Sequence, residues 1–229
     1  MSEFVEAGDG LHCVSAPLRF MGVEIGARMS VMRSDSGWLV HSPLPYVKHG
    51  PSVAALGEAA WALAPNRFHH LFVGSWADAG IDAWAAPGLE KKRADVRFAG
   101  IVGEQKTNFG SDITLHLIRS MPITSEVVVH HAPSRTLVVC DLLFNIQGDA
   151  SWFTRAALRL GGAYPGPSAS LLEHIFMRRD AARGEIRRLL ELDFDRVVMA
   201  HGAIIESGGK DALRRAYRWL LRDTQALPA

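Results

Sequence analysis

Polar residues of the kinds that bind metal ions lie at the ends of three apolar runs in this sequence. The adjacent histidines His69 and His70 precede one run, Asp141 lies at the end of a second, and His201 follows a third. Neutral imidazole is the commonest nitrogen ligand for zinc and iron. A carboxylate within an apolar run needs a cation or strong hydrogen-bond donors, because burying an unpaired charge is costly. Since strand ends meet at one edge of an α/β sheet, these residues predict a shared functional pocket.

Each of these features, taken singly, also has an ordinary structural explanation. One histidine of the pair can cap a helix while the other is buried and hydrogen-bonded. Asp141 can cap a helix or a turn. His201 can be a satisfied core histidine, although the Gly202 that follows it lets other backbone approach closely. The functional interpretation therefore depends on the three features together.

The elements that must position these residues alternate between short apolar runs and longer helical patterns, which is typical of a layered α/β protein. Apolar runs bounded by turn residues predict strands at residues 29–33, 38–41, 81–85, 113–118, 126–131, 136–140 and 196–200. Helical spacing predicts helices at residues 52–63, 70–79, 87–92, 151–160, 168–179, 181–191 and 211–222. Two β-β-α halves, packed sheet against sheet with helices outside, are compatible with this order.

Length and composition are those of an ordinary globular protein. The chain has 229 residues, of which 48% are hydrophobic and 21% are charged. A chain of this size buries a large core without disulfides or a structural metal, so a metal site would serve function. We expect one domain over residues 1–229, in which the polar residues 1–12 form a flexible N-terminal segment.

Charge and cysteine usage restrict the classes of partner. The net charge is +1 with no basic stripe, so nucleic acid is not an expected partner. No apolar stretch reaches the roughly 20 residues that span a bilayer, so no membrane partner is expected either. Cys13 and Cys140 are far apart and lack CxxC spacing, which fits a reducing cytoplasm. The apolar Trp152-Phe153 segment suggests a homodimer.

Four segments carry a resemblance to a known family. Residues 65–70 occupy the place of an H-x-H-x-D-H motif, residues 139–144 resemble a strand ending in G-D-x-L-F, and residues 198–202 resemble a closing histidine–glycine motif. Residues 29–41 resemble an opening hairpin. In order and spacing the chain is similar to the metallo-β-lactamase superfamily and, more narrowly, to the uncharacterised DUF4336 group. The resemblance implies a four-layer αββα sandwich of the α/β class, with its site at one edge of the two sheets.

Departures from the family motif imply that one of two metal sites is lost. The first two histidine positions hold Pro65 and Arg67, and the third falls within residues 122–126, which contain no histidine. The second site is retained as three imidazoles and one carboxylate, from His69, His70, Asp141 and His201. This ligand set predicts one divalent metal, with zinc favoured over iron or manganese, or none if the site is degenerate.

Five further assignments follow from the resemblance. Glu126 is the predicted general base or a replacement ligand, and Asp141 shares the catalytic role through the metal. Asn66 and Asn145 are placed to hydrogen-bond ligands or substrate. His41 ends the hairpin and is expected at the rim of the pocket, in contact with substrate.

Two functions from different classes remain open. The first is a metallohydrolase with one metal, acting on a small-molecule ester, lactone, thioester or phosphodiester. The second is a non-catalytic descendant that keeps the pocket for ligand binding or structure without metal. An iron-dependent redox protein ranks below both, because di-iron members of the superfamily normally keep both metal sites.

Overall fold

A computed structural model describes residues 4–20, 22–147 and 152–222, and its framework is a pair of mixed β-sheets. The described strands are β1 (Val5–Gly8), β2 (Leu11–Ala16), β3 (Arg19–Phe20), β4 (Val23–Glu24), β5 (Ala27–Ser34), β6 (Gly37–His41), β7 (Ala59–Ala64), β8 (Asp82–Ala85), β9 (Gly100–Ile101), β10 (Ile113–Leu117), β11 (Val127–His131), β12 (Thr136–Val139) and β13 (Arg196–Met199). The described helices are α1 (Tyr46–Leu56), α2 (Val73–Asp78), α3 (Leu89–Lys92), α4 (Trp152–Leu160), α5 (Leu171–Phe176), α6 (Arg179–Glu191), α7 (Gly209–Ala216) and α8 (Arg218–Leu221).

The two large sheets have different strand orders. The first sheet has the order β1-β2-β5-β6-β7-β8-β9, and the second has the order β10-β11-β12-β13. Within them β6, β7 and β8 run parallel to one another, and β12 runs parallel to β13. Strands β3 and β4 form a separate small hairpin.

Three apolar cores separate four layers. Between the sheets, Leu39 and Leu63 of the first sheet belong to the same core as Val129 and Val198 of the second. A second core lies between the first sheet and α1 to α3, and a third lies between the second sheet and α6 to α8. The αββα sandwich that the resemblance implied is therefore confirmed.

Side-chain alternation along the strands produces this layering. On β12, Leu137 and Val139 face the helices while Val138 faces the other sheet. On β5, Val31 and Met32 divide in the same way between two cores. Successive strand residues point to opposite faces, and both faces of these strands are largely buried, so apolar residues occur on both faces instead of alternating with polar ones.

The helix predicted over residues 52–63 differs from the structure, in which α1 ends at Leu56 and β7 begins at Ala59. Gly57 lies between the two elements, and a side chain at this position would overlap Nε1 of Trp38. Strand β7 then pairs with β6 on one side and with β8 on the other. These pairings override the helix propensity of an alanine-rich segment.

The N-terminal segment also differs from expectation in its described part. Residues 4–12 include all of β1 and the start of β2, and Leu11 is fully buried. Strand β2 pairs with β5 from Leu11 to Ala16, so packing and pairing order a segment that its polarity marked as flexible. Residues 1–3 lie outside the described part of the chain, as does Ser151 of the helix predicted at 151–160. None of the described helices is long and apolar enough to cross a membrane.

Gly202 allows two strand ends to meet at the edge of the second sheet. It forms an isolated β-bridge with Asn145, and its φ is +96°. A Cβ on Gly202 would overlap the carbonyl oxygen of Asn145, and backbone cannot move aside as a flexible side chain can. The residue is therefore required both for its conformation and for its lack of a side chain.

We predict that Gly202→Ala lowers the free energy of unfolding by about 2–4 kcal/mol, because it adds an atomic overlap to the cost of a positive φ. Gly80→Ala is the matched control, since Gly80 has a φ of +86° and a Cβ added there would have no other atom within 4 Å. It should cost only about 1 kcal/mol. Urea unfolding of both variants measures the difference, and equal losses would contradict this account.

Candidate metal centre and pocket

Three side chains from three different loops converge at the edge of the sandwich. His69 follows β7, Asp141 follows β12 and His201 follows β13. Their ligand atoms all lie within 4.8 Å of one another, the one such group of three or more potential ligands found among the described residues. Asp141 and His201 follow neighbouring parallel strands of the second sheet, whose carboxyl ends lie at one edge, and His69 follows a strand of the first sheet, which packs against the second.

The distances within this group fit a single metal ion. The Nε2 atoms of His69 and His201 are 3.2 Å apart. Oδ2 of Asp141 lies 3.6 Å from Nε2 of His69, and Oδ1 of Asp141 lies 3.4 Å from Nε2 of His201. Ligand atoms of a tetrahedral zinc site with bonds near 2.0–2.1 Å are separated by about 3.3 Å. The donor atoms are therefore spaced as ligands of one ion are.

Hydrogen bonds to the far nitrogens orient both imidazoles. Nδ1 of His201 lies 2.8 Å from the carbonyl oxygen of Gly26, so Nδ1 must donate, and in the neutral ring Nε2 keeps a lone pair for a metal. Nδ1 of His69 lies 2.8 Å from the hydroxyl of Ser42. Phe144 stacks in parallel on His201 at a centroid distance of 5.4 Å. A hydrogen bond at the ring nitrogen that faces away from the site, as in His69 and His201, is characteristic of histidines that bind metals.

The charges of the group are mutually dependent. Burial raises the pKa of the Asp141 carboxyl, but His69 and His201 outweigh it and hold that pKa well below its usual range. Burial lowers the pKa of His201, but hydrogen bonding and attraction to Asp141 raise it above its ordinary value. An ionised Asp141 therefore requires a cation beside it, which either a proton on His201 or a metal can supply.

Asn66 joins the histidine loop to Asp141. Its amide nitrogen donates to Asp141 at 2.8 Å and to Glu126 at 3.1 Å. Its carbonyl oxygen accepts from the backbone N–H groups of Phe68 and His69, at 2.8 and 2.9 Å. Asn66 is fully buried and lies outside the pocket lining, so of its two predicted roles the structure has the hydrogen bond to a candidate ligand and not the contact with substrate.

Glu126 does not lie where a general base in contact with substrate would have to lie. Its carboxylate is buried and accepts from the backbone N–H groups of Cys140 and Asp141, both at 2.7 Å, and of Leu142. It does not line the pocket. Burial, and then the charge of Asp141, raise the pKa of Glu126 to about 7, and the N–H donors oppose this. Glu126 therefore acts as a positioning residue for Asp141.

His70 lies outside the group of converging ligands, contrary to the sequence expectation. Its Nδ1 is 3.4 Å from Nη1 of Arg93, and the same guanidinium donates to the His70 carbonyl. Burial, Lys92 and Arg93 all lower the pKa of His70. The tight turn aims neighbouring side chains in different directions, so His69 reaches the site while His70 lines the pocket elsewhere.

His41 and Asn145 also take positions that differ from the predicted substrate contacts. His41 is buried, and Nε2 of its ring has no hydrogen-bond partner within the described part of the chain. Burial, and then the proximity of His69, lower the pKa of His41 to about 3, so the ring is neutral. Asn145 is buried and donates to the carbonyl of Ala203, which fixes the loop after His201.

The three converging side chains open into a cavity of about 480 Å³. Its wall is mainly apolar and comes from both halves of the sandwich. Besides His69, Asp141 and His201, the lining residues are Leu18, Arg19, Ile25, Ala27, Ser42, Pro43, Leu44, Phe68, His70, Leu71, Phe72, Lys92, Met121, Thr124, Phe144, Ser170, Leu172 and Glu173. A concave apolar pocket with a few convergent polar groups is typical of small-molecule sites.

Ser42 and Glu173 are site residues that the sequence interpretation missed. Ser42 has a φ of +53° and follows directly after His41, so the predicted rim position was one residue away from the one that reaches the site. Glu173 caps α5 through a reciprocal pair of bonds with Ser170. The spacing S-x-x-E was a visible sign of this cap, but it does not reveal that the carboxyl faces the pocket.

A proton count indicates that Glu173 is neutral. The hydroxyl of Tyr217 lies 2.8 Å from the Leu142 carbonyl and 2.5 Å from the Glu173 carboxyl. One hydroxyl has one proton, so if it donates to Leu142 the carboxyl must donate to Tyr217. Burial raises the pKa of Glu173 well above its ordinary value, in agreement with this arrangement.

Glu126 and Glu173, both buried, should respond differently to amide substitution. Glu126→Gln should cost about 2–4 kcal/mol of unfolding free energy, because its new NH₂ group faces N–H donors. Glu173→Gln should stay within about 1 kcal/mol of the wild type, because the amide can donate to Tyr217 and accept from Ser170. Urea unfolding at pH 7 tests both variants, and similar losses in the two would refute the assigned protonation states.

Linkage gives the sign of the pH dependence for Glu173. The folded state holds a proton that the unfolded chain releases above about pH 4.5, so this carboxyl makes wild-type stability decline as the pH rises from there. The Glu173→Gln variant lacks that decline, and its stability relative to the wild type should therefore increase toward pH 8.

Comparison with known proteins identifies the fold. No protein-family model matches the sequence, and no curated protein matches it significantly. The metallo-β-lactamase from Pontibacter korlensis superposes with a TM-score of 0.67 at 10% identity, covering 97% of this chain and 100% of that one. The metallo-β-lactamase from Hirschia baltica gives 0.65 at 10% identity, covering 96% and 97%. FIM-1 from Pseudomonas aeruginosa, in its mono-zinc form, gives 0.61 at 11% identity, covering 96% and 93%. This chain has the metallo-β-lactamase fold along nearly its whole length.

Proposed function

We propose that this protein is a metal-dependent hydrolase that holds one divalent metal, zinc in the first instance, through His69, Asp141 and His201. The observation that carries the proposal is the spacing of their donor atoms, 3.2 to 3.6 Å, at the end of an enclosed pocket. The mono-zinc form of FIM-1 supports it, since that protein of the same fold is described with a single zinc.

The number of ligands favours a catalytic site over a structural one. Structural zinc sites normally have four protein ligands, whereas catalytic sites have three and keep a position open. Here the three residues meet at the wall of the pocket, so the open position faces the space that a substrate would occupy. A metal held there would act as a Lewis acid, lowering the pKa of water and polarising a carbonyl or phosphoryl oxygen.

The residues of the chain itself have the supporting roles. Ser42 and the Gly26 carbonyl fix the orientation of the two imidazoles. Asn66 and Glu126 hold Asp141 in place from behind, away from the substrate. Because these partners are buried or backbone groups, the donor set is rigid before any ligand binds, which reduces the cost of assembling the site.

The pocket favours a substrate with a neutral reacting group and an apolar substituent. Its lining carries two cationic side chains: Arg19, which pairs with Glu24 at 3.2 Å, and Lys92, which donates one proton to the Arg67 carbonyl at 2.8 Å and keeps its charge. Because the wall is mainly apolar, an ester, lactone or thioester suits the pocket better than a phosphodiester. Binding of nucleic acid is not part of this proposal.

The non-catalytic alternative has its own supporting observation. The two Nε2 atoms are 3.2 Å apart, which is a hydrogen-bond distance when one imidazole carries a proton. Together with Asp141 they can form a network that needs no metal.

Membership of the DUF4336 group, a cytoplasmic location and a homodimer stay predictions from the sequence.

Removal of a ligand should abolish tight metal binding. We expect His201→Ala and Asp141→Ala to weaken zinc affinity by more than about 100-fold, because each leaves only two protein ligands. Ser42→Ala should weaken it by about tenfold through the orientation of His69. His70→Ala is the control and should change affinity little, since His70 lies outside the ligand group.

Zinc affinity is measured by competition with a chromophoric chelator, and metal content by elemental analysis of protein purified without a histidine tag. If no transition metal binds at micromolar concentration, the hydrolase proposal fails and the metal-free network is favoured. If His70→Ala weakens binding as strongly as His201→Ala, the assignment of ligands is wrong.

Metal affinity should also depend on pH in a defined direction. A proton on His201 competes with the metal, and the pKa of His201 is raised above its ordinary 6.5. Below the pKa of His201, zinc affinity should therefore increase about tenfold for each unit of pH, and above that pKa it should level off. The same chelator competition, repeated from pH 5 to pH 8, should reveal this slope; affinity independent of pH would speak against His201 as a ligand.

A further inference from the structure

Helix α4 exposes an apolar face to solvent. Its exposed side chains include Trp152 at 76% exposure, Phe153 at 54% and Leu160 at 80%, while Thr154 and Leu158 are buried. A surface helix normally shows the opposite arrangement, with polar groups outward and an apolar stripe inward. Exposed apolar groups of this size, clustered on one element, mark an interaction surface.

Helix α5 repeats the inverted pattern. Leu171, Leu172, Ile175 and Phe176 are exposed, whereas Glu173 is buried. Leu171 and Ile175 are four residues apart, as are Leu172 and Phe176, so all four side chains occupy one face of the helix.

The two apolar faces lie close to each other and to the pocket. The N–H of Leu171, at the start of α5, donates to the carbonyl of Gly161, directly after the end of α4, at 2.7 Å. Leu172 also lines the pocket, as do the partly exposed Phe68 and Leu71. The exposed face of α5 therefore adjoins the pocket through Leu172, and the exposed faces of α4 and α5 are together called the apolar face here.

The charges on and beside the apolar face are mainly positive. Helix α4 carries Arg155 and Arg159 and no acidic residue. The single acid of α5 is the buried Glu173, and the exposed Arg178 follows that helix, with Asp180 as the first exposed acid after it. A partner that covers the apolar face would therefore meet cations around it.

We infer that the apolar face of α4 and α5 docks this protein on the surface of an anionic lipid bilayer. Exposed Trp, Phe and Leu side chains with flanking Arg are the composition of helices that lie in the membrane interface. The apolar side chains enter the acyl boundary, and the arginines meet headgroup phosphates. This mode needs no spanning segment, so it departs from the sequence expectation of no membrane partner, which rested on the absence of a stretch long enough to span a bilayer.

Two other occupants fit less well. In a two-fold dimer the patch packs on its own copy, so the mainly positive rim of one patch meets few opposite charges on the other. The C-terminal residues 223–229 contain only one large apolar side chain, Leu227, which is too little to cover both helices.

Docking in this orientation has a consequence for the pocket. The pocket is apolar and adjoins the apolar face through Leu172, so an apolar substrate dissolved in the bilayer can reach it without crossing water. This consequence depends on the proposed hydrolase function, whereas membrane docking does not.

Vesicle co-sedimentation of the full chain tests the inference. We expect binding to vesicles of phosphatidylcholine and phosphatidylglycerol, weaker binding to phosphatidylcholine alone, and loss of the difference at about 1 M salt. Ile175→Ser with Phe176→Ser should weaken binding by about tenfold or more. Arg159→Gln with Arg178→Gln should do the same for anionic vesicles only. Val47→Ser is the control, since Val47 is 88% exposed on α1 and should have no effect.

A second measurement locates the contact. Quenching of tryptophan fluorescence by brominated lipid should be strong in the wild type and greatly reduced in Trp152→Phe, which keeps the apolar character of the position. Absence of vesicle binding overturns the inference. So does binding that survives the Ile175 and Phe176 changes, or a dimer that those changes dissociate in a protein that does not bind vesicles. Because none of these measurements uses metal or activity, their failure is distinguishable from failure of the hydrolase proposal.

Discussion

The buried carboxylate of Glu126 accepts hydrogen bonds from the backbone N–H groups of residues 140–142 and from the amide of Asn66. These bonds fix the chain where β12 ends and so aim Asp141 at the pocket. Through Asn66 the same group also holds the loop that presents His69. A buried carboxylate is costly without donors, and buried N–H groups are costly without acceptors, so each stabilises the other. The geometry of the candidate metal centre depends on this arrangement.

Charge balance around that carboxylate explains why the site favours a cation. Asp141 is held ionised, while burial and Asp141 raise the pKa of Glu126 to about 7. Burial raises the pKa of Glu173 well above its ordinary value, although the bond with Tyr217 opposes this, and a neutral Glu173 limits the negative charge in the region. The remaining charge on Asp141 is balanced either by a proton on His201 or by a bound metal. The same donor set therefore accommodates both the metal-bound and the metal-free forms of the site.

Polarity divides the pocket between chemistry and binding. The three candidate ligands are held by buried hydrogen bonds, and the wall around them is mainly apolar. The apolar lining continues through Leu172 to the exposed face of α5. Burial of apolar ligand surface supplies non-directional affinity, so specificity for a reacting group depends on the few polar atoms in the wall.

Strand β7, which leads to His69, was predicted as part of a helix, whereas the sequence by itself determined the four strands of the second sheet and their ends, because apolar runs of strand length and the polar residues after them depend only on local order. That was enough to place Asp141 and His201 at one sheet edge. Tertiary structure decided which side chains face that edge: His70 turns to Arg93, His41 is buried, and Glu126 lies behind Asp141. The direction of a side chain at the end of a strand depends on backbone torsions and on packing partners distant in sequence, and neither is encoded in residue type or spacing.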